Sequence, residues 1–287
     1  MKQIAVVSGK GGTGKSSLVL AFASLAKNSV IADCDVDASN LHIVLNPTIL
    51  KTEDFIGSQI AHIDKNKCTN CLECYLGCKF GAVTKDIEIA ESLCEGCGVC
   101  QFLCPSKAIT MIDKISGYTY VSKTRLGILA HAFLKPGAQS SGKLVNEVRK
   151  NAIEISIEDN KDLILIDGPP GIGCPVISTI TGINLAIIVT EPTFSAIHDL
   201  ERVLEANRHF GVKSVVCINK SDINIQNTSN IKEYCNRNNI LVIGELPYNP
   251  IVNTAIVSRK TLIELPDSPL SLKIIEIWEK IMELLKD

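Results

Sequence analysis

Short aliphatic runs alternate with stretches of helical periodicity over most of the chain. The first run, 3–7, is apolar at Ile4, Ala5, Val6 and Val7, and a glycine-rich turn leads from it into an apolar-rich segment over 15–27 that predicts a helix. A second strand is expected at 29–32, ending at Asp33, with a polar loop from Asp33 to Asn40 behind it. This βαβ opening then breaks off. From about 55 to 114 long helical periodicity vanishes, and short β-like pieces at 82–84, 87–89 and 108–112 flank dense cysteine and glycine. After Gly117 the rhythm resumes, with strand-like runs at 118–122, 163–166, 185–189, 212–218 and 240–243. Helical stretches lie between them, among them 195–209, which Gly211 stops. Apolar strands alternating with helices predict an α/β domain whose mainly parallel sheet carries helices on both faces. Its halves are expected at 1–55 and 115–287, with a small α+β domain inserted at 56–114.

The turn after the first strand reads Gly9-Lys10-Gly11-Gly12-Thr13-Gly14-Lys15-Ser16. This is a phosphate-binding loop: backbone N–H groups wrap phosphates, and the helix that follows presents its positive end. Gly11, Gly12, Thr13, Gly14 and Ser17 belong to that cradle. Lys15 is expected on the β- and γ-phosphates, and the Ser16 hydroxyl on Mg²⁺.

Lys10, at the second position of the loop, makes it resemble the deviant-Walker ATPases of the MinD, ParA, Mrp and nitrogenase iron-protein superfamily. That resemblance implies a P-loop NTPase sheet, an ATP-dependent homodimer, and a Lys10 that reaches the partner's nucleotide. It extends to Asp33-Cys34-Asp35, similar to the family's first switch, where Asp35 would orient the attacking water and Asp33 would lie near Mg²⁺. It extends also to Asp167-Gly168-Pro169-Pro170-Gly171, similar to the second switch. There Asp167 would hold Mg²⁺ through water and the Gly171 amide would sense the γ-phosphate. Asn219-Lys220-Ser221-Asp222 follows another strand; such a string reads guanine in GTPases, whereas in this family the matching Asn219 would read adenine. The string alone does not choose, and the signature lysine favours ATP.

Eight of the twelve cysteines fall into two runs of C-x2-C-x2-C-x3-C: Cys68, Cys71, Cys74, Cys78 and Cys94, Cys97, Cys100, Cys104. Two such runs resemble a two-cluster bacterial-type ferredoxin, in which the fourth ligand of each run serves the other cluster. The resemblance implies one [4Fe–4S] cluster on Cys68, Cys71, Cys74 and Cys104, and a second on Cys94, Cys97, Cys100 and Cys78. Lys79 stands where the pattern has proline after the first run; proline shapes that turn and ligates nothing. Zinc Cys₄ sites usually show paired C-x2-C with longer gaps. Of the remaining cysteines, Cys34, Cys217 and Cys235 read as small buried residues. Cys174 lies at an offset from Asp167 similar to that of a cluster-ligating cysteine in the nitrogenase iron protein, but no second cysteine lies between Pro105 and Gly173, which counts against a shared cluster; a packing role is favoured over a redox-active thiol near the dimer axis.

Bulk properties narrow the partners. A net charge of -2 and a pI near 6.2 give no general reason to expect nucleic acid. The longest uncharged apolar stretch, about 176–190, falls short of a membrane span, and the start of the chain is not a signal peptide. A cytosolic setting is therefore expected, which makes the cysteines a metal or redox statement. The segment 271–287 reads as an amphipathic helix with apolar Leu272, Ile275, Trp278, Ile281, Met282 and Leu285; three lysines against four acids suit packing on the sheet, not a membrane anchor. Ser140-Ser141-Gly142-Lys143 reads as a helix start or as a contact to an anion or the dimer partner. Together these residues suggest an ATP-hydrolysing iron–sulfur protein whose dimeric switch gates electron transfer from a donor to a partner metalloprotein. The alternatives are a MinD- or ParA-like spatial switch with structural clusters, and an ATP-dependent cluster carrier.

Overall fold

The computed structural model describes residues 1–138, 142–265 and 268–286; Ser140 and Ser141 of the expected helix start lie outside them. In chain order the elements are β1 (Lys2–Ser8), α1 (Lys15–Leu25), β2 (Ser29–Asp33), α2 (Leu41–Leu45), β3 (Thr48–Ile63), α3 (Glu73–Gly77), α4 (Val99–Leu103), β4 (Ile109–Thr124), β5 (Gly127–Leu134) and α5 (Gly142–Glu158). Then follow β6 (Leu163–Pro170), α6 (Cys174–Ile180), β7 (Leu185–Thr190), α7 (Ala196–His209), β8 (Ser214–Asn219), α8 (Ile225–Arg237), β9 (Val242–Leu246), α9 (Ile251–Val257), a 3₁₀ turn (Leu262–Glu264) and α10 (Pro269–Leu284). The chain divides into two compact units, Met1–Glu53 with Thr119–Phe133 and Ser140–Asp287, and Asp54–Tyr118 with Leu134–Gln139.

The strands form a sheet of order β3-β4-β5-β2-β6-β1-β7-β8-β9. Pairs β1–β6, β1–β7, β2–β5, β2–β6, β7–β8 and β8–β9 are parallel, so the fold is the mainly parallel α/β type expected. Its central strands are buried on both sides, which is why they read as unbroken apolar runs. Ile4 and Val6 join Ile31, Leu165, Ile187 and Cys217 in one layer with α1 and α10, where Phe22 and Trp278 meet at 5.2 Å. The interleaved Ala5, Val7, Ile166 and Ile188 are equally buried and point the other way, the side on which α5 packs on β2 and β6, and α7 on β7. Each buried Ile or Leu contributes about 1.5–3 kcal/mol.

Three local expectations shift. The pieces foreseen at 108–112 and 118–122 are one strand, β4, which runs on through polar Asp113, Lys114 and Ser116. β3 has no foreseeable pattern, since its first seven residues are exposed. In α10 the buried stripe is Leu270, Ile274, Ile277, Trp278, Ile281 and Leu285, while Leu272 is 65% and Met282 38% exposed. The stripe is turned relative to the expected one, and its burial against the core is what packing on the sheet requires.

The smaller unit holds α3 and α4 against each other around a small centre of Ala61, Ile63, Cys74, Val83, Ile87 and Ile109. Its two cysteine runs fold alike. Asn70 and Leu72 before α3 match Gly96 and Gly98 before α4, all with φ between 54° and 74°.

Candidate functional site

The loop between β1 and α1 turns through glycines with φ of 78° at Gly12 and 94° at Gly14, a left-handed conformation that only glycine takes cheaply. A side chain at Gly14 would also strike the Asn219 amide. No side chain caps α1, so its first N–H groups are free to meet an anion. A cleft of about 610 Å³ opens over this terminus, lined by Gly11, Gly12, Gly14, Lys15, Ser16, Ser17, Asp35 and Pro170, among others. Loop, first-switch and second-switch residues therefore share one cavity. Thr13 is buried beneath, and its hydroxyl has no hydrogen-bond partner.

Under the cleft two carboxylates face each other across neighbouring strands. Asp33 of β2 and Asp167 of β6 are in register and fully or almost fully buried. One Asp33 oxygen accepts from the Ser39 hydroxyl at 2.7 Å and the Leu41 N–H at 3.3 Å. The other, with both Asp167 oxygens, has no partner. Burial pushes the Asp33 carboxyl up to about 7, against the hydrogen bonds from Ser39 and Leu41. It raises Asp167 well above the usual range too, helped by Asp33 and opposed by Ser16 and Lys15. Buried oxygens without partners are costly, and this all-oxygen donor set beside a serine hydroxyl fits a hard divalent cation such as Mg²⁺. Asp35, by contrast, lines the cleft; burial raises its carboxyl and Lys15 opposes that rise.

Gly171, the glycine expected in a second switch, donates its N–H to the Ser8 carbonyl at 2.8 Å, so its amide is held on β1 and not in the cleft. Lys10 is half-exposed and lies 3.5 Å from a Glu191 carboxylate oxygen. Beside the loop is a second cavity of about 290 Å³ walled by Leu18, Tyr248, Val252 and Ile256, with Asn219 at its edge. Asn219 donates to the Thr13 carbonyl at 2.8 Å, and its side-chain oxygen accepts from the Lys220 N–H. Asp222 accepts from the Tyr248 N–H at 2.6 Å. Both ends of the Asn-Lys-Ser-Asp string thus brace backbone at the cavity.

Sequence reasoning missed four contributors. Glu191 follows β7 and binds Lys220 at 2.7 Å; Lys220 in turn donates to the Gly12 carbonyl at 3.1 Å. Ser39 orients Asp33. Arg149 holds the end of α6 through the Ser178 and Thr181 carbonyls and reaches the Gln3 side chain. The available signal for Glu191 was its place at the carboxyl end of a parallel strand, where such folds collect functional groups.

In the smaller unit the cysteines surround two cavities. One is lined by Cys68, Cys71, Cys74 and Cys104, with Ile63, Ile87 and Ile109. The other is lined by Cys78, Cys94, Cys97 and Cys100, with Ala61, Val83 and Met111. The fourth cysteine of each run faces the other run's cavity. Among the described residues, no three Cys, His, Asp or Glu side chains are gathered closely enough to hold a single metal ion. The Ala82 and Ala108 N–H groups donate to Cys78 and Cys104 Sγ, each at 3.3 Å. Burial pushes these two thiols up, but the surrounding amides, led at Cys104 by the Ser106 hydroxyl, outweigh it and leave both below the ordinary value. Burial raises Cys74 and Cys100. Cys34, Cys217 and Cys235 are buried as expected, whereas Cys174 is exposed at the first residue of α6, which does not fit a packing role.

A glycine loop joining a central parallel strand to a helix, with aspartates at neighbouring strand ends, defines a P-loop nucleotide-binding domain. Residues 4–262 match the model of the CobQ/CobB/MinD/ParA nucleotide binding domain, and the chain belongs to that family. It is 33% identical over 286 residues to an uncharacterized protein of Methanocaldococcus jannaschii, covering 99% of this chain and 97% of the relative. It is 24% identical over 308 residues to the cytosolic Fe-S cluster assembly factor NBP35 of Kluyveromyces lactis, covering 99% and 78%. A stretch of 49 residues is 47% identical to the pyruvate synthase subunit PorD of Methanothermobacter marburgensis, covering 17% of this chain and 60% of the relative. The fold is similar to that of the cell division ATPase MinD of Pyrococcus furiosus, with a TM-score of 0.60, 17% identity and 99% of each chain covered. No helix among the described residues is long and apolar enough to cross a membrane.

Proposed function

We propose that this chain is an ATP-driven iron–sulfur protein, in which nucleotide-dependent pairing of two copies gates electron transfer through two [4Fe–4S] clusters to a partner metalloprotein. The observation that carries the proposal is the division of eight cysteines into two cavities of four, Cys68, Cys71, Cys74 and Cys104 against Cys78, Cys94, Cys97 and Cys100. Four thiolates per cavity with crossed fourth ligands is the arrangement two [4Fe–4S] clusters need. Bound there, they would supply one-electron transfer.

On the nucleotide side, Lys15 and the N–H groups from Gly11 to Ser17 hold phosphates at the α1 terminus. Ser16, Asp33 and Asp167 would hold Mg²⁺, which neutralises phosphate charge when bound. Asp35, facing the cleft, orients the attacking water. Lys10 reaches the nucleotide of a second copy. Because a ligand shifts an equilibrium only through differential affinity, the contacts of Lys10, Lys15 and Gly171 must differ between single and paired subunits. Gly171 must then leave the Ser8 carbonyl to meet a phosphate.

The similarity to an Fe-S cluster assembly factor favours a second reading, an ATP-dependent carrier that hands clusters on. One experiment separates them. The chain is purified anaerobically, iron is counted, and EPR spectra are recorded with a low-potential reductant, with and without ATP. About eight irons per chain are expected, with two reducible clusters whose oxidation by an acceptor depends on ATP. Loss of iron to an apo-acceptor supports the carrier; clusters that never change oxidation state overturn the electron-transfer reading. Cys104→Ser should perturb the same EPR signal as Cys68→Ser, and Cys78→Ser the same as Cys97→Ser. Perturbation by sequence run instead would refute the crossing.

A further inference from the structure

We propose that Glu191 is a positioning residue of the phosphate-binding loop, which keeps Lys10 folded on its own subunit until a second copy takes it. Glu191 follows the last residue of β7, with its side chain only 13% exposed. Each of its carboxylate oxygens serves a different lysine. One binds Lys220 at 2.7 Å, and Lys220 also donates to the Gly12 carbonyl at 3.1 Å. The other meets Lys10 at 3.5 Å, and Lys10 is 50% exposed.

The two contacts differ in kind. The Lys220 contact is short, shielded and tied to loop backbone, so it is a permanent clasp between β7, β8 and the loop. The Lys10 contact is long and solvated, the kind of ion pair worth little by itself and easily exchanged. A buried carboxylate stripped of its cation carries a heavy penalty. Here Lys220 remains when Lys10 departs, so releasing Lys10 leaves no unpaired charge behind. Glu191 therefore biases Lys10 toward its own subunit without trapping it. The inference builds on the nucleotide-dependent pairing proposed above.

The test starts with the full chain free of nucleotide. Brief acetylation by acetic anhydride and peptide mass mapping measure the reactivity of Lys10 relative to the exposed Lys273. Glu191→Gln should raise that ratio severalfold. Sedimentation at fixed protein concentration then measures pairing against a non-hydrolysable ATP analogue. Glu191→Gln should lower the half-saturating analogue concentration severalfold; in a Lys10→Ala background, where pairing itself is weakened, the same change should leave the analogue's affinity for the single subunit, read by fluorescent-analogue titration, without a shift. Pairing by wild type with a Lys10 reactivity that ignores Glu191 overturns this inference alone. So does a shift that survives Lys10→Ala, because a merely structural role for Glu191 would act that way. Wild type that never pairs, with Lys10 reactivity still responsive to Glu191, locates the failure in the pairing reading, and the inference falls with it.

Discussion

One side chain, His131, should weaken the larger unit on acidification, against the buried carboxyls of Asp33 and Asp167, which act in the opposite sense. It sits on β5 at 7% exposure, with Nε2 3.0 Å from the Ser122 hydroxyl. Its ring stacks on Tyr120 at 5.1 Å and on His42 at 6.1 Å. Burial, and secondarily His42, push its pKa down from 6.5 to about 4. A depressed pKa in the folded state means that the unfolded chain takes up the proton first. The stabilisation is therefore present above about pH 6.5 and is lost as pH falls toward 4. With those two values, linkage puts the His131 share of the change between pH 7 and pH 5 at about 2 kcal/mol, a slope approaching 1.4 kcal/mol per pH unit for one proton. Urea unfolding followed by the fluorescence of Trp278, the single tryptophan, measures this at pH 7, 6 and 5. Asp33, raised to about 7 by burial, takes up its proton in the folded state first and adds stability over the same window, so the His131 share is read as the difference between wild type and His131→Gln. Between pH 7 and pH 5 wild type should lose about 2 kcal/mol relative to the variant. An identical change in both proteins would refute the assignment of the proton to His131.

Other perturbations follow from particular contacts. Gly14→Ala forces a side chain into a left-handed turn and against Asn219; strain of about 1–3 kcal/mol should appear as roughly tenfold or greater weakening of fluorescent-ATP binding. Gly98→Ala, at φ 74°, should lower the melting point of the iron–sulfur absorbance by a penalty of about 1–2 kcal/mol. Leu72→Gly at the matching position, φ 66°, should leave it unchanged or raise it, since relief of strain offsets the added chain entropy. Arg125 binds Glu264 through two nitrogens at 2.8 and 2.9 Å and reaches the Val44 and Arg259 carbonyls, so Arg125→Ala should cost about 1–3 kcal/mol near neutral pH. Hydrogen bonding to Arg125 holds the Glu264 carboxyl down to about 2 from 4.5, so the ion-pair share of that difference should fade as pH drops through this window in parallel urea titrations.

Much of this protein was legible in the residue pattern because the relevant forces are local. The phosphate loop needs glycine at left-handed positions, and the string from Gly9 to Ser16 states it. Strands buried on both faces must be apolar throughout, so β1, β6, β7 and β8 announce themselves. The resemblance to a two-cluster ferredoxin implied that the fourth cysteine of each run serves the other, and Cys78 and Cys104 each line the other run's cavity. What remained hidden was set by partners distant in sequence. β3 carries almost no pattern, and hydrogen bonds to β4 make it a strand. The buried stripe of α10 depends on which face meets the core beneath Phe22. Glu191, Lys220 and Ser39 are ordinary polar residues until folding sets them beside Lys10, Gly12 and Asp33. Asn219 and Asp222 looked like base readers, and tertiary structure gave their hydrogen bonds to the loop and to Tyr248. Residue type and spacing decided which chemistry the chain carries. Only the tertiary structure decided which oxygens are left without partners, because hydrogen-bond satisfaction and burial are properties of neighbours in space.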